Sequence, residues 1–119
     1  MQSKSPRQAA QDPSRVRVAR ANLLGKNAAA LIDDVRVVFC EPLRTQIVRA
    51  LSVGPLTVTE LVATTGRSRT VVSQHLRILR DDNLVVADRQ GRQMYYALST
   101  GLASRSAVTV LALVSELAV

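Results

Sequence analysis

Between Arg67 and Arg80 the chain reads RSRTVVSQHLRILR, and this stretch holds the side-chain chemistry that can read the edges of nucleic-acid bases. An arginine presents paired donors that match guanine O6 and N7, and Gln74 offers the donor and acceptor that match adenine N6 and N7. The hydroxyls of Thr70 and Ser73 suit bases or phosphates. With each residue turned about 100° from the last, Val72, Leu76 and Leu79 fall on one line, flanked by Val71, His75 and Ile78. Arg69, Thr70, Ser73, Gln74, Arg77 and Arg80 share the opposite side. A solvated surface helix has this pattern, and so does a helix whose polar face is reserved for a long polyanion. The neighbouring elements decide between them.

Ser68 suits the N-cap of this helix, which the spacing predicts over 68–82. Upstream, TVTE at Thr57–Glu60 has capping-box spacing, so a helix of about two turns should follow and end at Gly66, where positive φ is tolerated. Two short helices joined by a glycine-containing turn, the second polar outside, make a helix-turn-helix. After Asn83 the period changes to extended. The runs on either side of DRQGR predict a β-hairpin over 84–98, with Gly91 in its turn and Arg89, Gln90 and Arg92 at its tip. Those three residues read as contacts to phosphates or to the minor groove, or as ordinary solubility residues of an exposed turn. Before the pair, Pro42 after Glu41 opens a helix striped by Leu43, Ile47, Val48 and Leu51 and closed by Gly54 and Pro55. The order of helix, helix-turn-helix and hairpin is that of a winged helix.

Two further helices flank this core. AAALIDDVRVVFC repeats Leu31, Val35 and Val38 at helical spacing, with Ile32 and Phe39 alongside. STGLASRSAVTVLALVSELAV offers Ser99 or Thr100 as a cap and is then apolar nearly all round, from Leu102 through Leu111 to Val119. A terminal helix that apolar needs more cover than a small winged domain supplies, which points to a second protomer. The expected fold class is mainly α with a small β-hairpin: a winged helix-turn-helix dimerising through N- and C-terminal helices. Residues 1–15 read as a flexible basic arm and 16–119 as a single domain. Its winged core is 41–99, and 16–40 and 100–119 are the dimerisation helices.

Composition agrees with this. The 119 residues are 47% hydrophobic but only 3% aromatic, a palette of Val, Leu and Ala that suits helices. The net charge of +7 favours polyanions. Residues 1–26 carry six basic side chains and one acid, and residues 41–99 carry eight and five, so much of the excess lies in the arm. Such an arm serves as a solubilising tail or coats DNA without sequence preference. The single cysteine, Cys40, has no internal partner, and no apolar run follows the early basic residues as a signal peptide requires. No stretch reaches the ~18 apolar residues of a membrane span. A cytoplasmic protein without a membrane partner is expected.

EPLRTQIVRALSVGPLTVTELVATTGRSRTVVSQHLRILRDDNLVVADRQGRQMYYALS closely resembles the arsenic-repressor-like (ArsR) winged-helix transcription regulators. Its most specific pieces are EPLR, LTVTEL, VSQHLRILRDDNLV and GRQMYYAL, and the match covers about half of the chain. The resemblance implies a homodimeric repressor that binds double-stranded DNA, at an imperfect palindromic operator, through the second helix of the helix-turn-helix and the wing. The DNA-contacting residues are then Arg67, Ser68, Arg69, Thr70, Ser73, Gln74, Arg77, Arg89, Gln90 and Arg92. Family metal sites use a cysteine pair at the ELVATTG helix, or histidines and acids on the C-terminal helix. Here the first set reads Val62, Ala63 and Thr64, and the C-terminal helix has only Glu116, so neither metal nor cofactor is expected. No polar cluster identifies a site for a small-molecule inducer.

The other chemistry-bearing residues have simpler readings. His75, the only histidine, lies beside the buried line and reads as a packed, hydrogen-bonded residue rather than a ligand. Tyr95 and Tyr96 alternate across a strand. Cys40 follows Val37, Val38 and Phe39 and reads as a buried apolar residue, with a thiol redox switch as the alternative. No P-loop, dinucleotide fingerprint, nucleophile elbow or zinc-protease pattern is present, so no enzyme is expected. The rival function is a winged-helix module for protein–protein assembly, with the apolar C-terminal helix as its working surface.

Overall fold

The structure, a computed structural model, describes residues 12–118. Its elements are α1 (Pro13–Ala21), α2 (Lys26–Phe39), α3 (Pro42–Leu51), β1 (Leu56–Thr57), α4 (Val58–Thr65), α5 (Arg69–Asp81), β2 (Val85–Gln90), β3 (Gln93–Leu98) and α6 (Leu102–Leu117). This is the expected winged helix-turn-helix, mainly helical with one small antiparallel sheet.

Local chemistry sets most of the boundaries. Glu41 caps α3 by accepting from the Arg44 amide at 3.0 Å. The Thr57 hydroxyl accepts from the Glu60 amide at 3.2 Å, and the Glu60 carboxylate accepts from the Thr57 amide at 3.0 Å, which completes the capping box of α4. Gly66 ends α4 at φ 71°, in the left-handed region where a Cβ is strained. Ser68 caps α5 by accepting from Val71 N at 3.3 Å.

Three features differ from expectation. The arm was expected to run to residue 15, but a helix begins at Pro13, capped by Asp12, whose carboxylate accepts from Ser14 N at 3.1 Å. Residues 1–11 of the expected arm lie outside the described residues. Gly101, not Ser99 or Thr100, occupies the N-cap of α6, and it makes no side-chain cap bond. The Ser99 hydroxyl is engaged instead with the Ser104 hydroxyl at 2.6 Å. The sheet also has a third strand, since β1 pairs with β3 in the order β1-β3-β2, registering Leu56 with Tyr96 and Thr57 with Tyr95. That short strand ties the start of the helix-turn-helix to the wing.

The core is one cluster. Leu43, Ile47, Val48 and Leu51 of α3, Leu61 of α4, and Val72, Leu76 and Leu79 of α5 meet Leu84 and Val85 at the base of the wing. Val38 of α2 and Ala107 and Leu111 of α6 close it from the flanking side. A buried polar tie joins the two sides. Ser104 is 2% exposed and donates to the Leu84 carbonyl at 2.9 Å, and the Ser99 amide donates to the same carbonyl at 3.0 Å. With its proton committed to Leu84, Ser104 accepts from the Ser99 hydroxyl.

Candidate nucleic-acid interface

The buried line of Val72, Leu76 and Leu79 fixes the rotation of α5, so the opposite side must face outward. Thr70, Ser73, Gln74, Arg77 and Arg80 are all exposed there. Arg69 is exposed as well, and one of its terminal nitrogens, Nη1, donates to the Thr59 hydroxyl at 3.0 Å. This bond pins the Arg69 side chain against α4 and leaves the remaining guanidinium donors free for an incoming acceptor. Arg67 is exposed in the turn before α5. Ser68 is also exposed, but its hydroxyl is occupied by the Val71 amide, so it acts first as a cap.

The wing places the other three expected residues at its tip. In the β2–β3 hairpin Gln90 pairs with Gln93, and Gly91 turns the chain at φ 63°. Arg89, Gln90 and Arg92 are exposed, and the Gln90 side-chain Nε2 donates to the Asp88 carboxylate at 3.2 Å. All ten expected residues therefore lie in the turn before α5, on its outer side or at the hairpin tip.

Three residues outside the expected set border the same surface. Ser73, Arg77, Arg80 and Asp81 line a cleft of about 470 Å³ whose far wall is Tyr96 of β3. Arg80 shares the exposed side with Arg77, and the helical spacing already showed it. Tyr96 had no sequence signal beyond strand alternation, because the closeness of β3 to α5 is a tertiary fact.

Behind the interface, Arg44 joins three elements. Its Nε donates to His75 Nδ1 of α5 at 3.1 Å, and its Nη1 donates to the Val37 carbonyl of α2 at 3.1 Å and to Cys40 Sγ at 3.5 Å. His75 Nδ1 also lies 3.8 Å from Glu41 Oε2. Toward Arg44 the His75 Nδ1 is an acceptor, so the ring takes part in this hub through its lone pair. The expected packing role of His75 is what this geometry gives, with its side chain 17% exposed.

Cys40 corrects the expectation of burial. It is an exposed thiol at the C-cap of α2, with Sγ 3.6 Å from the Val37 carbonyl and beside the Arg44 guanidinium. Among the described residues no group of three or more His, Cys, Asp or Glu side chains is arranged to hold a metal ion. No described helix is long and apolar enough to cross a membrane.

Apolar side chains are also left open on the flanking helices. Leu102, Val110, Leu113, Val114 and Leu117 form an exposed stripe on α6, and Ile32 and Phe39 are exposed on α2, which packs beside it. Ala107 and Leu111 occupy the other side of α6, against the core.

Comparison with known proteins places these features in context. Residues 41–86 match the model of the bacterial regulatory protein arsR family. The HTH-type transcriptional regulator NmtR of Mycobacterium tuberculosis is 40% identical over 75 residues, which is 63% of this chain and 62% of that relative. This chain thus spans less than two thirds of that relative's length. Among solved structures, HlyU from Vibrio cholerae superposes with a TM-score of 0.66 at 28% identity, over 76% of this chain and 97% of that one. A homodimeric winged helix-turn-helix DNA-binding domain from Mycobacterium bovis superposes with a TM-score of 0.58 at 30% identity, over 82% and 89%.

Proposed function

Given that the chain belongs to the arsR family of bacterial regulatory proteins, we propose that it is a sequence-specific DNA-binding transcriptional repressor, not an enzyme, acting as a homodimer. The observation that carries this reading is the outer side of α5, where Thr70, Ser73, Gln74 and Arg77 are exposed opposite a fully buried line. A rigid helix with that face enters a major groove, while Arg89, Gln90 and Arg92 reach the flanking phosphates or the minor groove. The exposed stripe on α6 and its neighbours Ile32 and Phe39 supply the surface for a second copy. A two-fold dimer sets its recognition helices about 34 Å apart, which matches an imperfect palindrome. Neither a metal nor a cofactor is part of this reading, and cytoplasmic location follows from its DNA target.

The test compares binding to a duplex from upstream of the chain's own gene with binding to a scrambled duplex of equal length, at one fixed salt concentration. A preference of about a thousandfold or more supports specific regulation. Arg69→Ala combined with Arg77→Ala should abolish that preference. If the double variant keeps it, α5 is not the reading element. A chain that binds neither duplex but still assembles through α6 would be a protein–protein module instead.

One observation favours a second layer. The exposed Cys40 thiol lies beside Arg44, which also holds His75 of the recognition helix. Modification of that thiol would disturb the Arg44 contacts and hence α5, making the repressor redox-responsive.

A further inference from the structure

Among the described residues, helix α1 adds nothing to the buried core of the winged fold. None of its residues is buried, and Val18 is 72% exposed. Its two valines fall about 160° apart around the helix, so they form no single apolar stripe, and the exposed Leu23 and Leu24 lie in the turn after it. A nine-residue helix that buries none of its residues among the described ones is marginal in water. Yet its start is built with care. Pro13 sits at the first helical position, and the Asp12 carboxylate accepts from the Ser14 amide and hydroxyl at 3.1 and 2.8 Å and from the Arg15 amide at 3.4 Å.

What α1 does present is charge. Arg15, Arg17 and Arg20, with Lys26 just beyond, are all exposed, and the only acid nearby is Asp12, committed to the cap. None of the four is in an ion pair among the described residues. Arg17 and Arg20 project to one side of the helix and Arg15 to the other, so the cations surround it rather than form one patch. Asn22 to Gly25 join it to the first turn of α2, whose residues 26–30 are exposed throughout. Three guanidiniums free of ion pairs among the described residues, on a helix whose valines share no face, fit a chain of phosphates better than a folded partner.

We propose that α1 is a second DNA-binding element, which lies on the phosphate backbone outside the operator and adds affinity without reading sequence. This rests on the DNA-binding reading of α5. It differs from coating by a loose tail in that the contact belongs to a capped helix at a fixed place in the chain.

The experiment uses the full chain and its Arg15→Ala/Arg17→Ala/Arg20→Ala variant on two duplexes, the operator with long flanks and the operator trimmed to its ends. Binding is followed across a salt series. Each phosphate neutralised contributes about −0.9 to the slope of log K against log salt, so six arginines in a dimer contribute up to about 5 units. The variant should lose that slope on the flanked duplex only, and should keep its preference for operator over scrambled sequence. The Arg→Lys triple variant should keep most of the slope. An alanine variant with an unchanged slope on flanked DNA overturns the proposal, and so does an equal loss on both duplexes. A parent protein that does not distinguish operator from scrambled DNA, but whose variant loses slope only on the flanked duplex, refutes specific repression and leaves the role of α1 standing.

Discussion

Replacing Arg44 with alanine tests whether the recognition helix is held in place by the polar hub behind it. The change removes the bond to His75 of α5, the bond to the Val37 carbonyl of α2 and the contact with Cys40. Hydrogen bonds to charged groups contribute about 1.5–3 kcal/mol each. Arg44 and His75 are only half-buried, however, and water replaces part of each bond. A net loss of about 1–2 kcal/mol is therefore expected, part of it from packing of the arginine stem. For a domain near this size each kcal/mol lowers Tm by roughly 4–8 °C, so the variant should melt about 4–16 °C lower. Arg44→Lys should recover little, because one ammonium cannot reproduce a planar fork that spans α2 and α5.

Circular dichroism gives the melting temperature, and the imidazole ¹⁵N shifts of His75 report whether Nδ1 still accepts a hydrogen bond. Operator affinity should fall by more than affinity for scrambled DNA, since a tilted α5 loses base contacts before phosphate contacts. A variant that melts within about 1 °C of the parent, with His75 shifts unchanged, would refute the hub.

Thr57→Ala removes one arm of the capping box and should cost about 1 kcal/mol in urea unfolding; a cost near zero would mean that the β1 pairing, not the cap, holds the start of α4. Leu76 is 1% exposed at the centre of the core, so Leu76→Ala should destabilise by about 2–5 kcal/mol, and a smaller loss would place that side chain outside the core. The exposed Cys40 should react with a thiol reagent in the native state, and mild oxidant should lower the DNA affinity of the parent but not of Cys40→Ser. Equal affinity for both proteins before and after oxidant ends the redox reading. Bonding to the Ser14 hydroxyl, and then to the Arg15 amide, holds the Asp12 carboxyl below the ordinary carboxylate range. The α1 cap is thus fully present above that range and is lost as pH falls through the lowered value. Acid titration of the Ser14 and Arg15 amide resonances should show this, and resonances that stay fixed would refute it.

The winged core was legible because its signals are local. The capping box at Thr57, the glycine at 66, the Ser68 cap and the Val72–Leu76–Leu79 line each act over a few residues. The pairing of β1 with β3 was not legible, since two residues carry no periodicity and their partner lies about forty positions on. Helix α1 escaped for a related reason: an amphipathic pattern marks only helices that bury a face, and α1 buries none. Asp12 followed by Pro13 was the one signal available there. Cys40 was misread because its apolar neighbours outweighed its phase. It follows Val38 by about 200° of helical turn, so the rotation that buries Val38 exposes Cys40. The outward side of α5 was legible, but the cleft shared by Arg80 and Tyr96 required the sheet to be in place.

An operator senses the spacing and tilt of two recognition helices, and in a dimer formed through α2 and α6 both depend on how α5 is tied to those helices. The apolar core fixes α5 within the helix-turn-helix, and it also takes in Val38 of α2 and Ala107 and Leu111 of α6, so the flanking helices are held by apolar as well as polar contacts. The polar ties to the flanking helices are weaker. They are Arg44 between α2 and α5, the Thr45 hydroxyl of α3 donating to the Val38 carbonyl of α2 at 2.8 Å, and Ser104 between α6 and the base of the wing. Each such bond contributes about 1 kcal/mol net. The Leu84 carbonyl keeps the Ser99 amide when Ser104 is removed, so even that buried tie can break without orphaning an acceptor. A signal that repacks α2 against α6 therefore has to act on those shared apolar contacts, whereas one that alters the thiol beside Arg44 acts on a polar tie alone. Losing about 1.4 kcal/mol of that tie in the DNA-bound arrangement changes operator affinity about tenfold.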